Sequence, residues 1–141
     1  MSVDYIVVHC SDSPNWLDDK RLDGAGEIND WHLQNGWDGI GYHYVINELG
    51  ELETGRPVFE KTKTFWPGAH CRGYNGRSIG ICLIGKRDFH DSQLDKAREV
   101  IERLLVVWPE AKVVGHRDLD PAKTCPNFDA GEWFYGEKVA L

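Results

Sequence analysis

The chain has 141 residues, of which 41% are hydrophobic, and a formal net charge of -7. This length allows one hydrophobic core, and no linker or internal repeat divides the sequence, so we predict a single domain over residues 1–141. The acidic balance argues against contact with a phosphate backbone and excludes nucleic acid from the expected partners.

Membrane and disulfide-framework proteins are excluded next. No stretch reaches the roughly 18 apolar residues of a membrane span, and residues 1–10 lack the basic start and apolar run of a signal peptide. We therefore expect no membrane insertion and a cytoplasmic location before any release. The cysteines show no paired spacing, which predicts reduced thiols at Cys10, Cys71, Cys82 and Cys125.

Strand patterns recur along the whole chain. We predict strands at residues 5–8, 41–47, 50–54, 78–84 and 112–114, and all of these runs except 50–54 are rich in Val, Ile or Tyr. The Asn-Glu-Leu-Gly sequence at 47–50 predicts a hairpin turn between the second and third of them.

Helical patterns lie between these strands. We predict helices at residues 26–34, 92–107 and 128–134. The second helix carries an apolar stripe, which we interpret as core, at Leu94, Ala97, Ile101, Leu104 and Leu105. The alternation of elements predicts an α/β fold in which helices flank a central mixed sheet.

Two histidines stand where apolar strands end. His9 follows residues 5–8, and His116 follows residues 112–114 and a glycine. If the two strands lie side by side, both imidazoles reach one edge of the sheet, where open sheets place functional groups. The loop over residues 119–124 can then bring Cys125 back to them.

Two imidazoles and one thiolate form a typical ligand set for catalytic zinc. Three protein ligands leave a fourth position for water, whose pKa the metal lowers to about 7. The sequence therefore indicates a hydrolase. Arg117 and Asp118 follow a histidine of this set directly. They either orient its imidazole or form a surface ion pair.

Five sequence blocks carry a resemblance to a known family. They are residues 8–11 (VHCS), 36–46 (GWDGIGYHYVI), 68–75 (GAHCRGYN), 78–85 (SIGICLIG) and 116–125 (HRDLDPAKTC). In this order they resemble the type-2 zinc N-acetylmuramoyl-L-alanine amidases, which are related to peptidoglycan recognition proteins. Within that family the phage lysozymes are the most similar. The resemblance covers nearly the whole chain.

The resemblance implies an activity and roles for individual residues. It implies Zn²⁺ held by His9, His116 and Cys125, with Tyr42 and Lys123 as catalytic partners. The bond that it implies is the amide between the lactyl group of N-acetylmuramic acid and L-alanine in peptidoglycan.

Tyr42 and Lys123 each have a structural interpretation as well. Amide hydrolysis develops an oxyanion, and a cation two residues before a ligand is placed to stabilise it. Without the resemblance, Lys123 fits a solvated loop lysine better, and the resemblance favours the oxyanion role. Tyr42 is either a strand residue packed on the core or a phenol that hydrogen-bonds the attacking water or the substrate carbonyl. The resemblance favours the second.

The neighbours of Tyr42 are assigned by strand alternation. Period two places Tyr42, Tyr44 and Ile46 on one face, with His43 and Val45 on the other. We therefore interpret His43 as structural.

The remaining histidines and Asn75 divide into two groups. His70 and Asn75 lie in a glycine-rich loop that in the family borders the substrate groove, so they either bind the stem peptide or serve as turn residues. His32 and His90, on a predicted helix and in a loop, are interpreted as solvated.

Several functions fit this set of residues. The favoured one is a monomeric phage or prophage endolysin that degrades peptidoglycan during host lysis. Alternatives are an intracellular amidase that recycles wall fragments, and a peptidoglycan-binding module without catalysis. Cys125 argues against the latter, because loss of that cysteine accompanies loss of catalysis in the family. Phage RNA polymerase is a further candidate partner, because a phage lysozyme of this family also inhibits that enzyme. This partner is less favoured than peptidoglycan.

Overall fold

The computed structural model describes residues 2–12 and 40–136. One sheet in this part of the chain contains β1 (Tyr5–Cys10), β2 (Tyr44–Ile46), β3 (Leu52–Thr54), β6 (Ser78–Leu83) and β7 (Lys112–Gly115). A separate hairpin pairs β4 (Val58–Phe59) with β5 (Thr64–Phe65). The predicted helix at residues 26–34, with His32, lies outside the described residues.

The five-stranded sheet is mixed, as predicted. Its spatial order is β3, β2, β6, β1, β7, in which β1 runs parallel to both β6 and β7. β2 is also parallel to β6, whereas β3 is antiparallel to β2. The neighbouring inner strands β6 and β1 are buried almost throughout. Burial on both faces explains why they read as continuous hydrophobic runs in the sequence.

Helices cover this sheet. They are α1 (Asp91–Val107), α2 (His116–Leu119) and α3 (Ala130–Tyr135), and a 3₁₀ turn spans Asn75–Arg77. None of the helices in the described ranges is long and apolar enough to cross a bilayer. Asp129 precedes α3 and accepts a hydrogen bond from the Glu132 N–H. The helix begins at Ala130, two residues later than predicted.

The predicted apolar stripe of α1 packs against one face of the sheet and forms the main core. Its buried members are Ala97, Ile101 and Leu104, and Leu94 and Leu105 pack against the core. Val100, which was not predicted as part of the stripe, is buried with them. The interpretation of this stripe as core is confirmed.

The hairpin turn at residues 47–50 is also confirmed. The Gly50 N–H donates to the Asn47 carbonyl at 2.9 Å. The Asn47 side chain accepts the N–H groups of Leu49 and Glu51, each at 3.0 Å. Gly50 has a φ of 79°, which glycine adopts at no steric cost.

The strand predicted at residues 41–47 is shorter than expected. A bend lies at His43, and β2 begins only at Tyr44. The bend breaks the alternation, so the prediction that Tyr42 shares a face with Tyr44 was wrong. Tyr42 packs against the cluster of Val45, Cys82 and Ile84, which is separate from the main core that contains Tyr44.

His43 is buried and holds three segments together. Its Nδ1 accepts the Gly80 N–H at 3.0 Å, and its Nε2 donates to the Trp66 carbonyl at 2.7 Å. These bonds confirm the structural interpretation of His43. Burial lowers the pKa of His43 from 6.5 to about 4, against the opposing effect of the Trp66 carbonyl.

This lowered pKa predicts acid sensitivity. Unfolded His43 binds a proton near pH 6.5 and the folded chain resists it, so the stabilisation is present above pH 6.5 and is lost as the pH falls towards 4. Between pH 7 and pH 5 we expect His43 to account for about 2 kcal/mol of lost unfolding free energy. Urea unfolding of the parent and of His43→Gln at both pH values measures it.

The difference between the two proteins isolates His43, since all other histidines are shared. An equal loss in both would contradict the assignment. In the parent, NMR titration should show the His43 imidazole still neutral at pH 5.

Candidate metal centre

The sheet brings the two histidines together. In the pairing of β1 with β7, Val8 lies opposite Gly115, so His9 and His116 leave neighbouring parallel strands at the same edge. Their ring centroids are 4.5 Å apart. The predicted adjacency of the two strands is confirmed.

The loop after α2 returns Cys125 to this edge. The Arg117 N–H donates to the Cys125 carbonyl at 2.9 Å, and the Cys125 Sγ accepts the Cys10 N–H at 3.0 Å. A Cβ added at Gly115 would lie 2.8 Å from the Cδ of Pro126. The absent side chain at Gly115 therefore lets the loop approach the strand closely.

The three side chains form a group that can hold a metal ion. The ligand atoms offered by His9, His116 and Cys125 all lie within 4.8 Å of one another. His9 is buried, whereas His116 and Cys125 are half-buried. The group is therefore buried on the His9 side and partly exposed at His116 and Cys125.

The imidazoles at this edge are held neutral. Burial lowers the pKa of His9 well below 6.5, and nearby His70 and His116 lower it further. Burial likewise lowers the pKa of His70 to about 3 and lowers that of His116. A neutral imidazole keeps the lone pair that binds a metal.

Two thiols meet beside these imidazoles. The hydrogen bond between Cys10 and Cys125 lowers the pKa of Cys10 and raises that of Cys125. Two adjacent thiolates would repel each other in a buried setting, so the pair ionises one member at a time. Without a metal, Cys10 ionises before Cys125. A metal cation held by Cys125 would reverse this order, because a coordinating thiol is deprotonated outright.

Tyr42 lies next to the group. Its ring centroid is 5.1 Å from that of His9, and its hydroxyl hydrogen-bonds Cys82. Burial, followed by the charges of the neighbouring cysteines, raises the pKa of Tyr42 well above 10. Tyr42 therefore stays a neutral phenol that can donate a hydrogen bond.

Lys123 is exposed and lies on the returning loop. The Lys123 backbone N–H donates to the Asp120 carbonyl at 3.0 Å, and this bond closes a turn two residues before Cys125. The Lys123 charge lowers the pKa of His116, so the ammonium acts on the same edge of the sheet.

Asp118 stabilises the helix that begins at His116. Its carboxylate accepts the Gly115 N–H at 2.8 Å and so stabilises the start of α2. Arg117 contributes its backbone N–H to hold Cys125. His90 is exposed, in agreement with its interpretation as solvated.

His70 and Asn75 form internal hydrogen bonds. The His70 ring bonds His9 and Ser78, and the Asn75 Oδ1 accepts the N–H groups of His70 and Cys71, each at 2.9 Å. These bonds favour the turn interpretation of Asn75. Contact of either residue with the stem peptide stays a prediction.

Sequence reasoning missed the contacts of His70 and Cys10 with the group. His70 is 61 residues from His9, and no periodicity links the two positions. Cys10 directly follows His9, and this adjacency was the one signal available.

Comparisons with known proteins agree with this geometry. Residues 1–128 match the family model described as N-acetylmuramoyl-L-alanine amidase. The chain is 34% identical to the endolysin of Escherichia phage T7 over 141 residues, covering 94% of this chain and 86% of that protein. It is also 34% identical to the endolysin of Klebsiella phage KP32 over 137 residues, covering 92% and 83%.

A solved structure supports the fold. Wild-type PGRP-LB of Drosophila, a peptidoglycan-recognition protein, matches with a TM-score of 0.74 at 28% identity, covering 96% of this chain and 79% of that chain. The resemblance predicted from the five sequence blocks is thus confirmed.

Proposed function

The chain belongs to the N-acetylmuramoyl-L-alanine amidase family, and we propose that it hydrolyses the amide between N-acetylmuramic acid and L-alanine in peptidoglycan as a phage endolysin. The observation that carries this proposal is the convergence of His9, His116 and Cys125 within 4.8 Å at the end of the sheet. The similarity to phage endolysins over more than nine-tenths of the chain supports the biological role.

We propose Zn²⁺ as the ion of this centre. Two neutral imidazoles and one thiol are the donors that zinc takes in three-ligand catalytic sites. When bound, zinc supplies Lewis acidity and lowers the pKa of water. The half-buried positions of His116 and Cys125 leave room for the substrate amide.

Two further residues are proposed to act on the reacting groups. The neutral hydroxyl of Tyr42 hydrogen-bonds the attacking water or the scissile carbonyl. The Lys123 ammonium, on the exposed loop, stabilises the negative charge that develops on that carbonyl. Neither group is a proposed ligand.

The rest of the proposal concerns organisation. Residues 1–141 form one amidase domain that acts as a monomer, and His70 and Asn75 border the groove for the stem peptide. The net charge of -7 gives no attraction to an anionic wall, so recognition relies on specific contacts in that groove.

Product analysis tests the bond that is cut. We expect purified sacculi to release stem peptides with L-alanine at their new N-termini, leaving glycan strands without new reducing ends. Mass spectrometry of the digest and a reducing-sugar assay report both, and a muramidase digest is the positive control for reducing ends. New reducing ends would show that the wrong bond is proposed. Cleavage of soluble fragments but not of sacculi would favour a recycling enzyme.

Metal content tests the zinc assignment. The purified protein should carry about one zinc per chain, and Cys125→Ser should lose most of it because the thiolate is the softest of the three ligands. Elemental analysis after dialysis measures the content, with Cys71→Ser as the control at a buried cysteine outside the group. Equal zinc in Cys125→Ser and the control would refute the ligand set.

Metal binding and turnover should separate at Tyr42 and Lys123. Tyr42→Phe and Lys123→Ala are expected to keep zinc and fold while losing hydrolysis, and loss of one oxyanion donor typically lowers turnover about 10²- to 10³-fold. Turnover, zinc content and circular dichroism are measured on the same preparations. Parental turnover in Tyr42→Phe would return Tyr42 to a packing role.

A further inference from the structure

His70 lies beside His9 and is itself buried, with 8% of its surface exposed. Its Nδ1 is 2.9 Å from the His9 Nε2, and the two rings meet edge to face at 89°. Its Nε2 is 3.3 Å from the Ser78 Oγ. Both ring nitrogens of His70 are therefore engaged inside the protein.

The Tyr74 carbonyl, which ends this series of hydrogen bonds, sets the direction of all of them. The Ser78 Oγ lies 2.8 Å from the Tyr74 carbonyl, which can only accept. Without a proton between them, two oxygen lone pairs would face each other at that distance, so the Ser78 hydroxyl donates to Tyr74. Ser78 then accepts from the His70 Nε2–H.

These hydrogen-bond directions set the proton positions of the His70 and His9 imidazoles. With its proton on Nε2, neutral His70 offers Nδ1 as an acceptor. The His9 Nε2 must then carry a proton and donate it to His70. The lone pair of neutral His9 is left on Nδ1.

We propose that His70 is a positioning residue that fixes His9 in its Nε2-protonated tautomer, so that Nδ1 of His9 is the atom offered to the metal. The proposal rests on the proposed zinc-dependent function. It assigns Ser78 to the same chain of hydrogen bonds, one step further from the metal. Partners of this kind orient metal-binding imidazoles and raise their affinity.

Close packing holds the plane of the His70 ring. A Cβ at Gly80 would lie 2.7 Å from the His70 Cγ, and one at Gly68 would lie 2.5 Å from the His70 Cδ2. The His70 ring thus lies directly against the backbone at Gly80 and Gly68, where neither residue has a side chain. The Asn75 side chain fixes the His70 backbone N–H at 2.9 Å.

A substrate-binding role for His70 makes a different prediction. As a substrate contact, its loss would raise KM and leave metal affinity unchanged. As a positioning residue, its loss weakens metal binding even when no substrate is present. Zinc affinity, measured by competition with a fluorescent chelator, separates the two roles.

The test compares variants that keep or remove the acceptor. His70→Phe retains a ring of similar size without an acceptor, and we expect about 10- to 100-fold weaker zinc binding. His70→Asn places an amide oxygen near the position of Nδ1 and should recover most of the affinity. His90→Asn, at the exposed histidine before α1, is the matched control and should bind zinc as the parent does.

NMR of the ¹⁵N-labelled, zinc-loaded parent tests the tautomer without any mutation. We expect the proton of His9 on Nε2 and the metal on Nδ1. Metal on Nε2, or parental zinc affinity in a folded His70→Phe, would overturn the proposal. If the parent binds no zinc, the proposed function itself fails. If the parent binds zinc and cleaves peptidoglycan while either of these results is found, only the role of His70 fails.

Discussion

The parallel pairing of β1 with β7 is the constraint on which the site depends. The register that sets Val8 opposite Gly115 makes His9 and His116 emerge together. A slip of one residue would exchange the two faces of β1 and turn His9 towards the main core, where Val8 now packs. The buried apolar residues on both faces of β1 oppose such a slip, so the core fixes the geometry of the site.

A second constraint is the burial of three imidazoles beside the core. His9, His43 and His70 are buried, and an unpaired polar group there would cost about 1–3 kcal/mol. Every side-chain nitrogen and oxygen atom that is itself fully shielded from solvent in the described part of the chain has a hydrogen-bond partner. Gly80 serves two of the three rings, because its N–H bonds His43 and its missing side chain admits His70. The bonds that stabilise these neutral rings also orient them.

The accuracy of the sequence predictions followed the strength of each local pattern. The strands around Val7 and Ile81 and the stripe of α1 have long, regular patterns, and the structure has them within a few residues of the predicted bounds. The hairpin of β4 and β5 was not predicted, since strands of two residues carry no period. The bend at His43 was also missed, and with it the face on which Tyr42 lies.

By itself, the sequence determined the chemical types present and their places at strand ends. Two histidines after apolar strands and a cysteine nine residues beyond the second indicated the centre, because a strand's direction carries its last side chain to a sheet edge. Only the tertiary structure decided that His70 bonds His9 across 61 residues and that Cys10 contacts Cys125 across 115. Such contacts depend on which strands become neighbours. That choice is made by the summed burial of the whole core, and no local pattern encodes it.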